Sequence, residues 1–179
     1  MTRRPTALIA LAAALWLTAA PALAAEAPAP AKPVDPARFY TGRWLEIARL
    51  PMGLTDGCVA GWTDYTRRPD GKVAVFDGCQ VGVPGGKTRS IKGTGTLQDA
   101  GSNNATLKVR YPFFITWTYQ VLDRADDYSW FISADPKFEK LWIYTREVPD
   151  AETLAMLIAR ARALGYDTGR LEFPAQPPL

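Results

Sequence analysis

Histidine is absent from the chain of 179 residues. Its absence excludes Ser-His and Cys-His nucleophilic pairs, histidine metal ligands and the commonest general base of enzymes. The candidate catalysts that remain are carboxylates. A phosphate-binding loop is also excluded at VPGGKT, residues 83–88, because Val81 occupies the place of the first glycine in that motif.

Long apolar runs are scarce, and the clearest one, residues 7–20, lies near the amino terminus. Arg3 and Arg4 precede it, and ALA at residues 22–24 offers small side chains for cleavage. The run is short and rich in alanine for a membrane span, so a signal anchor is the weaker alternative. We expect residues 1–24 to be a secretory signal peptide.

The chain carries little net charge. Its formal charge of +3 falls to +1 when the two arginines of the signal peptide are removed, so there is no electrostatic reason to expect a nucleic acid partner. The next segment, AEAPAPAKPVDP at residues 25–36, is expected to be an extended, poorly ordered leader. Residues 37–179 then form one domain, large enough for a single core or a closed barrel.

Cysteine is limited to Cys58 and Cys79. Neither follows the cleavage region, so we expect no lipoprotein anchor there and a soluble mature protein, in the periplasm or secreted. In an oxidising compartment an even pair is most simply a disulfide, and two free buried thiols are the alternative. A bridge over this loop would stabilise the fold by about 3 kcal/mol in the chain-entropy model.

Short apolar or alternating runs recur along the chain with turn chemistry between them, which predicts an all-β domain. Asp70 and Gly71 in RRPDGK mark a tight hairpin, and sequential strands are expected to pair antiparallel. An eight-stranded up-and-down barrel can close and hold a small ligand, while a two-sheet sandwich is the alternative. The eight predicted strands are residues 43–50, 58–66, 72–80, 88–97, 105–111, 115–123, 128–134 and 140–146.

Alternating positions on successive strands carry the side chains expected to face inward. Several are aromatic with a polar tip, which suits a pocket that grips an apolar body and orients a polar end, although rings that simply fill the barrel are the alternative. The predicted inward residues are Val73, Val75, Val109, Tyr111, Trp117, Tyr119, Trp130, Ile132, Trp142 and Tyr144.

A single helical pattern follows the strands. Asp150 is its predicted N-cap, Gly165 ends it, and an apolar stripe predicts packing against the outside of the barrel. The strand residues expected to face outward beneath the helix are Leu45, Ile47, Leu141 and Ile143, and the stripe is Leu154, Leu157, Ile158, Ala161 and Leu164.

Several segments, in order, resemble motifs of the lipocalins. GRWLEIARLP, residues 42–51, resembles the Gly-x-Trp motif that opens the first lipocalin strand, and LWIYTREVP, residues 141–149, resembles the motif that ends in an arginine. The likeness is to bacterial lipocalins related to apolipoprotein D and covers nearly everything after Pro36. Its further segments are CVAGWTDYTRRPDGKVAVFDGC, LKVRYPFFITWTYQVLD, residues 128–136 and LGYDTGRLEF.

The resemblance implies an eight-stranded lipocalin barrel with one closed end. Trp44 would close the base with Arg146 packed across its ring, and Gly42 would let the chain cross closely beneath, with Phe39 and Tyr40 helping to cover it. A guanidinium on a desolvated indole contributes about 1 to 2 kcal/mol. On the second strand the resemblance favours Tyr65 rather than Trp62 as the inward ring.

The resemblance also implies a function: binding, transport or storage of a small hydrophobic ligand, such as a fatty acid or lysophospholipid, without a metal, a cofactor or catalysis. It allows peripheral contact with a membrane and leaves the oligomeric state open. The alternatives are an enzyme on the same barrel and a protein-binding module that uses the open-end loops. An enzyme would need an inward acid, Glu46 or Asp77; each could instead lie at the rim or pair with an arginine such as Arg43 or Arg110.

Overall fold

The computed structural model describes residues 25–177, so the expected signal peptide lies outside the described residues. Eight antiparallel strands pair in sequence order, and the last pairs with the first to close a barrel. No helix in residues 25–177 is long and apolar enough to cross a bilayer. The elements are α1 Pro36–Phe39, β1 Gly42–Arg49, β2 Cys58–Arg67, β3 Val73–Val81, β4 Thr88–Leu97, β5 Thr106–Arg110, β6 Thr116–Arg124, β7 Trp130–Ala134, β8 Leu141–Thr145 and α2 Ala151–Ala163.

Helix α2 lies outside the barrel, as predicted. Asp150 caps it by accepting a hydrogen bond from the backbone N–H of Thr153. Leu157 and Ala161 on its apolar stripe are fully buried, and they pack with strand residues whose side chains point away from the barrel interior. These strand residues include Leu141 and Ile143, which the sequence predicted to face the helix.

The wall of the barrel therefore separates two apolar clusters. The inner cluster lies inside the barrel, and the outer cluster lies between the barrel and α2. On β7 the predicted phase is wrong: Trp130 and Ile132 belong to the outer cluster, whereas Phe131 belongs to the inner one. Trp130 pairs with Thr145 and lies beneath the guanidinium of Arg160 from α2, 4.9 Å from its ring centroid.

A β-bulge at Ile47 changes the alternation of side chains along β1. Glu46 pairs with Tyr144 on β8, but Ala48 pairs with Ile143, so one extra residue lies between the two pairs. Beyond the bulge Ala48 packs in the outer cluster, and Arg49, paired with Trp142, turns towards the interior. The prediction that Ile47 lies outward beneath the helix is therefore corrected, since Ala48 takes that place.

The base of the barrel is covered by the segment that precedes β1. Phe39 and Tyr40 are buried, and Phe39 contacts the rings of Trp44 and Phe131. The preceding residues are not a separate leader as expected: Val34 is buried in the inner cluster and donates its N–H to the carbonyl of Asn103. The domain therefore begins before residue 37.

The ring of Trp44 is fully buried, and the guanidinium of Arg146 lies 3.4 Å from its centroid. Arg146 Nη1 also donates to the carbonyls of Thr41 and Arg43, which ties the end of β8 to the start of β1. Gly42 has a φ of +67°, and a Cβ there would lie 3.5 Å from Arg146 Nη1. Glycine thus supplies the left-handed backbone that brings the chain close beneath the arginine.

Candidate functional site

A cavity of about 600 Å³ lies at the end of the barrel where the loops β1–β2, β3–β4 and β5–β6 turn, and the β1–β2 loop, the start of β4 and the β5–β6 loop border it. This volume lies within the range typical of small-molecule sites. Seven of the predicted inward residues lie on its wall, and six of these seven carry aromatic rings. These seven are Tyr65, Val75, Tyr111, Trp117, Tyr119, Trp142 and Tyr144.

The other predicted residues do not reach the cavity. Val73 and Val109 are buried in the inner cluster nearer the base, and Trp130 lies outside the barrel. Sequence reasoning missed Phe131 and Ser133, which take the inward positions on β7. Ile143 was already expected to face outward, and Ile132 pairs with it. This pairing places Ile132 outward and therefore Phe131 and Ser133 inward.

On β2 the structure places Tyr65 inward and Trp62 outward. Tyr65 pairs with Val75, and both lie on the cavity wall. The indole of Trp62 covers Gly78 across the strand, on the face where the guanidinium of Arg43 lies 4.8 Å from its centroid.

Room for the large inward side chains of β5 and of Tyr111, which follows it, comes from glycines on β4. A Cβ on Gly93 would lie 2.6 Å from Val109 Cγ1 and 2.8 Å from Tyr111 Cε1. A Cβ on Gly95 would lie 2.8 Å from Leu107 Cδ1. Such separations are too short for ordinary packing, so this pattern of glycines sets the positions of Val109 and Tyr111 inside the barrel.

A polar cluster interrupts the aromatic wall. Tyr111 donates its hydroxyl to Asp77 Oδ2 at 2.6 Å, and its oxygen lies 3.1 Å from the hydroxyl of Tyr119. Burial raises the pKa of Asp77, and the hydrogen bond from Tyr111 opposes that rise. Burial also raises the pKa of both tyrosines, so they stay neutral hydrogen-bonding groups.

Glu46 also lines the cavity, but it is paired. Arg49 Nη1 donates to Glu46 Oε1, and Arg49 donates further to the carbonyls of Thr55 and Cys58 and to the carboxylate of Glu172. Burial raises the pKa of Glu46, and the charge of Arg49 lowers it. Both candidate acids thus lie inside, and the arginine beside Glu46 is Arg49 rather than Arg43 or Arg110.

The predicted disulfide is confirmed. Cys58 and Cys79 are bonded, with their Cα atoms 5.5 Å apart. Both lie on the cavity wall, so the bridge joins the start of β2 to the end of β3 at the open end.

A second depression lies outside the barrel, and no metal-binding group is found among the described residues. An open depression of about 860 Å³ lies outside the barrel, between Arg146, residues 127–130 and the start of α2. Among the described residues, no group of three or more acidic or cysteine side chains is arranged to hold a metal ion.

Comparison with known proteins agrees with this architecture. A family model described as "Lipocalin-like domain" matches residues 34–176. The outer membrane lipoprotein Blc of Vibrio cholerae serotype O1 is 30% identical over 141 residues, which cover 76% of this chain and 80% of the relative.

Solved structures show the same fold at low sequence identity. Insecticyanin from the tobacco hornworm Manduca sexta aligns with a TM-score of 0.67 and 16% identity, covering 83% of this chain and 84% of the other. The cockroach allergen Per a 4 aligns with a TM-score of 0.64 and 17% identity, covering 84% of this chain and 93% of the other.

Proposed function

Because the chain belongs to the lipocalin-like family, we propose that it binds a fatty acid, a lysophospholipid or a similar amphiphile in the barrel cavity, for transport or storage. The observation that carries the proposal is the cavity of about 600 Å³, with aromatic walls and one cluster of hydrogen-bonding groups. An acyl chain gains roughly 0.8 kcal/mol for each methylene removed from water. No cofactor is required for this activity.

The ligand's polar end has a defined partner in this proposal. Asp77 accepts one hydrogen bond from Tyr111 and keeps further acceptor capacity inside the cavity. A hydroxyl or a protonated carboxyl group is a suitable donor to it, and the ionised form of Asp77 would repel an ionised carboxylate at the same place. We therefore favour lipids that present a hydroxyl group, such as lysophospholipids, for this position.

The first experiment identifies lipids that copurify with the mature protein by mass spectrometry. The second compares the affinity for a lysophospholipid with that for its analogue lacking the free hydroxyl, in wild-type protein and in Asp77→Ala. Loss of one hydrogen bond corresponds to about 0.5 to 1.5 kcal/mol, so the preference for the hydroxyl should fall by roughly twofold to tenfold. Asp64→Ala, on the outer face where Asp64 pairs with Arg43, is the control. A preference unchanged in Asp77→Ala would contradict the anchoring role.

A second candidate function is acid catalysis on a lipophilic substrate. It is favoured by one observation: Asp77 is buried in the cavity with a raised pKa, as a general acid requires. The test incubates the copurified lipid with wild-type protein and with Asp77→Asn, and follows isomers by chromatography. Conversion by the wild type alone would support this function; conversion by neither would reject it and leave binding.

We propose that the protein acts in the periplasm or outside the cell. The support is the pattern of Arg3, Arg4 and the apolar run at residues 7–20, together with a disulfide that needs an oxidising compartment. Amino-terminal sequencing of the exported protein should find the chain beginning near Ala25.

A further inference from the structure

Exposed apolar side chains are concentrated at one end of the barrel. Of the eight large hydrophobic residues that are exposed in residues 25–177, six lie on loops or strand ends at the open end of the barrel, and Ile91 on β4 lines the cavity. Single exposed apolar residues are ordinary, but a cluster at one end marks an interaction surface. We call the part of it on the three mouth loops the rim patch: Leu54, Val83, Phe113, Phe114 and Ile115.

The centre of the rim patch is the β5–β6 turn. Phe113 is 89% exposed and Phe114 is 102% exposed. The turn is held by its backbone, because Tyr111 donates its N–H to the carbonyl of Ile115 at 2.9 Å. Both phenylalanines have positive φ angles, 60° and 63°, which are unfavourable for bulky side chains. The protein therefore holds two rings in water in a conformation that local energetics oppose, and nothing within the described chain packs against them closely enough to bury them.

The strand beside this turn supplies positive charge. The segment KTRSIK, residues 87–92, contains three cations and no carboxylate, and Arg110 precedes the turn on β5. Thr94 pairs with Arg110, so the start of β4 extends beside the turn towards the mouth. Within residues 25–177, Lys87 and Arg110 make no ion pair.

We propose that the rim patch docks the protein on a lipid bilayer that carries anionic headgroups. Exposed phenylalanines beside unpaired cations match the interfacial region of such a bilayer, where rings enter the acyl boundary and cations meet phosphate groups. The cavity mouth then faces the bilayer, and a lipid can pass between them without crossing water. This purpose rests on the proposed function, whereas docking itself is measured without any cavity ligand.

The experiment measures binding of the mature protein to phosphatidylcholine vesicles with and without phosphatidylglycerol, by co-sedimentation. Phe114→Ser should lower the partition coefficient about tenfold, because the ring that the docked wild-type protein buries in the bilayer is missing. Lys87→Gln/Arg110→Gln should weaken binding about fivefold or more, and only on vesicles that contain phosphatidylglycerol. High salt should have the same effect as the charge variant.

Matched controls are available on the same chain. Arg67→Gln/Arg68→Gln removes the same charge at the β2–β3 hairpin, where Arg67 pairs with Val73 at the other end of the barrel, and Phe173→Ser removes an exposed ring from the C-terminal segment. Both should bind vesicles like the wild type. Phe114→Ser should also keep its melting temperature and its affinity for a dansyl-labelled fatty acid in solution, which separates failure of docking from failure of ligand binding.

Three outcomes would overturn the proposal: no binding to either vesicle, equal binding by Phe114→Ser and wild type, or equal losses in the controls. A concentration-dependent dimer that Phe114→Ser abolishes, without vesicle binding, would instead assign the rim patch to a second copy of this chain.

Discussion

Trp44 and Arg146 join the first strand to the last at the closed end of the barrel. The indole has no exposed surface, and the guanidinium both covers its ring and donates to two carbonyls of the segment entering β1. We expect Trp44→Ala to cost about 3 to 5 kcal/mol, the usual range for a large buried aromatic residue. Arg146→Ala should cost less, because hydration replaces part of what the exposed part of the arginine loses.

A double-mutant cycle on these two residues, followed by urea unfolding, should give a coupling free energy of about 0.5 kcal/mol or more. The pair Arg43 and Trp62 is the control, because its guanidinium lies 4.8 Å from the ring on the outer surface, where water screens it. If the effects of the two mutations on the free energy of unfolding simply add, the contact between Trp44 and Arg146 contributes no coupling free energy.

Asp77 predicts how stability depends on pH. Burial raises its pKa in the folded protein, so the folded state holds the proton more tightly than the unfolded state. Stability is therefore lost as the pH rises from about 4, the ordinary pKa of aspartate, to the raised value, and each unit of that rise corresponds to about 1.4 kcal/mol. Asp77→Asn, whose amide oxygen still accepts from Tyr111, should unfold with less loss over this window.

The measurement is urea unfolding of wild type and Asp77→Asn at about pH 4 and about pH 7. Glu46, whose pKa is also raised by burial, is present in both proteins, and the charge of Asp77 raises that pKa further. Removing this charge in Asp77→Asn therefore reduces the pH dependence due to Glu46 in the same direction as the loss of the Asp77 titration itself. Parallel pH dependences would contradict the assignment of a raised pKa to Asp77.

Among the strands, β4 is the element whose sequence most directly shapes the cavity. Gly93→Ala would place a methyl group 2.6 Å from Val109 Cγ1, so we expect a loss of about 1 to 3 kcal/mol from overpacking. Ser90→Ala on the same strand, at an exposed position, is the control and should change stability little.

A second substitution tests the cause of this loss. Val109→Ala removes one of the two obstructions and leaves the ring of Tyr111, whose Cε1 would lie 2.8 Å from the new methyl group. Adding Gly93→Ala to that background should therefore cost less than in the wild type, but not nothing. Equal costs in the two backgrounds would show that Val109 does not limit the space at Gly93.

Much of the fold could be predicted because most strands show one apolar face. The hairpin at Asp70 and Gly71 and the apolar stripe on α2 could be predicted because the residues that define them are close together in the sequence. The closed end of the barrel at Trp44 was predicted from the resemblance to lipocalins. The phase of β7 could not be read in this way, since Trp130 and Phe131 are both apolar and both faces of that strand are covered. Its pairing with β8 decides the phase, and that is a contact between strands.

Three further errors have the same origin in distant contacts. The bulge at Ile47 is invisible in the sequence of β1, because it is defined by the residues of β8 that face it. Val34 lies in a proline-rich segment that reads as a leader, yet it is buried because the base of the barrel lies over it. In the candidate site, the arginine beside Glu46 was missed because the bulge turns Arg49 inward.

The two clusters on either side of the barrel wall predict that ligand binding and stability can be separated. Trp117 faces the cavity and is only half-buried, whereas Trp130 lies between the barrel and α2 beneath Arg160. Trp117→Ala should weaken binding of a dansyl-labelled fatty acid by about tenfold, since up to a few kcal/mol of contact with the ligand is lost, and lower the melting temperature little. Trp130→Ala should cost about 3 to 5 kcal/mol of stability and leave the affinity unchanged at temperatures where the protein is folded. Ligand titrations and thermal unfolding of both variants test this prediction. A loss of stability in Trp117→Ala without a change in affinity would show that the ring belongs to the core and that the ligand does not reach it.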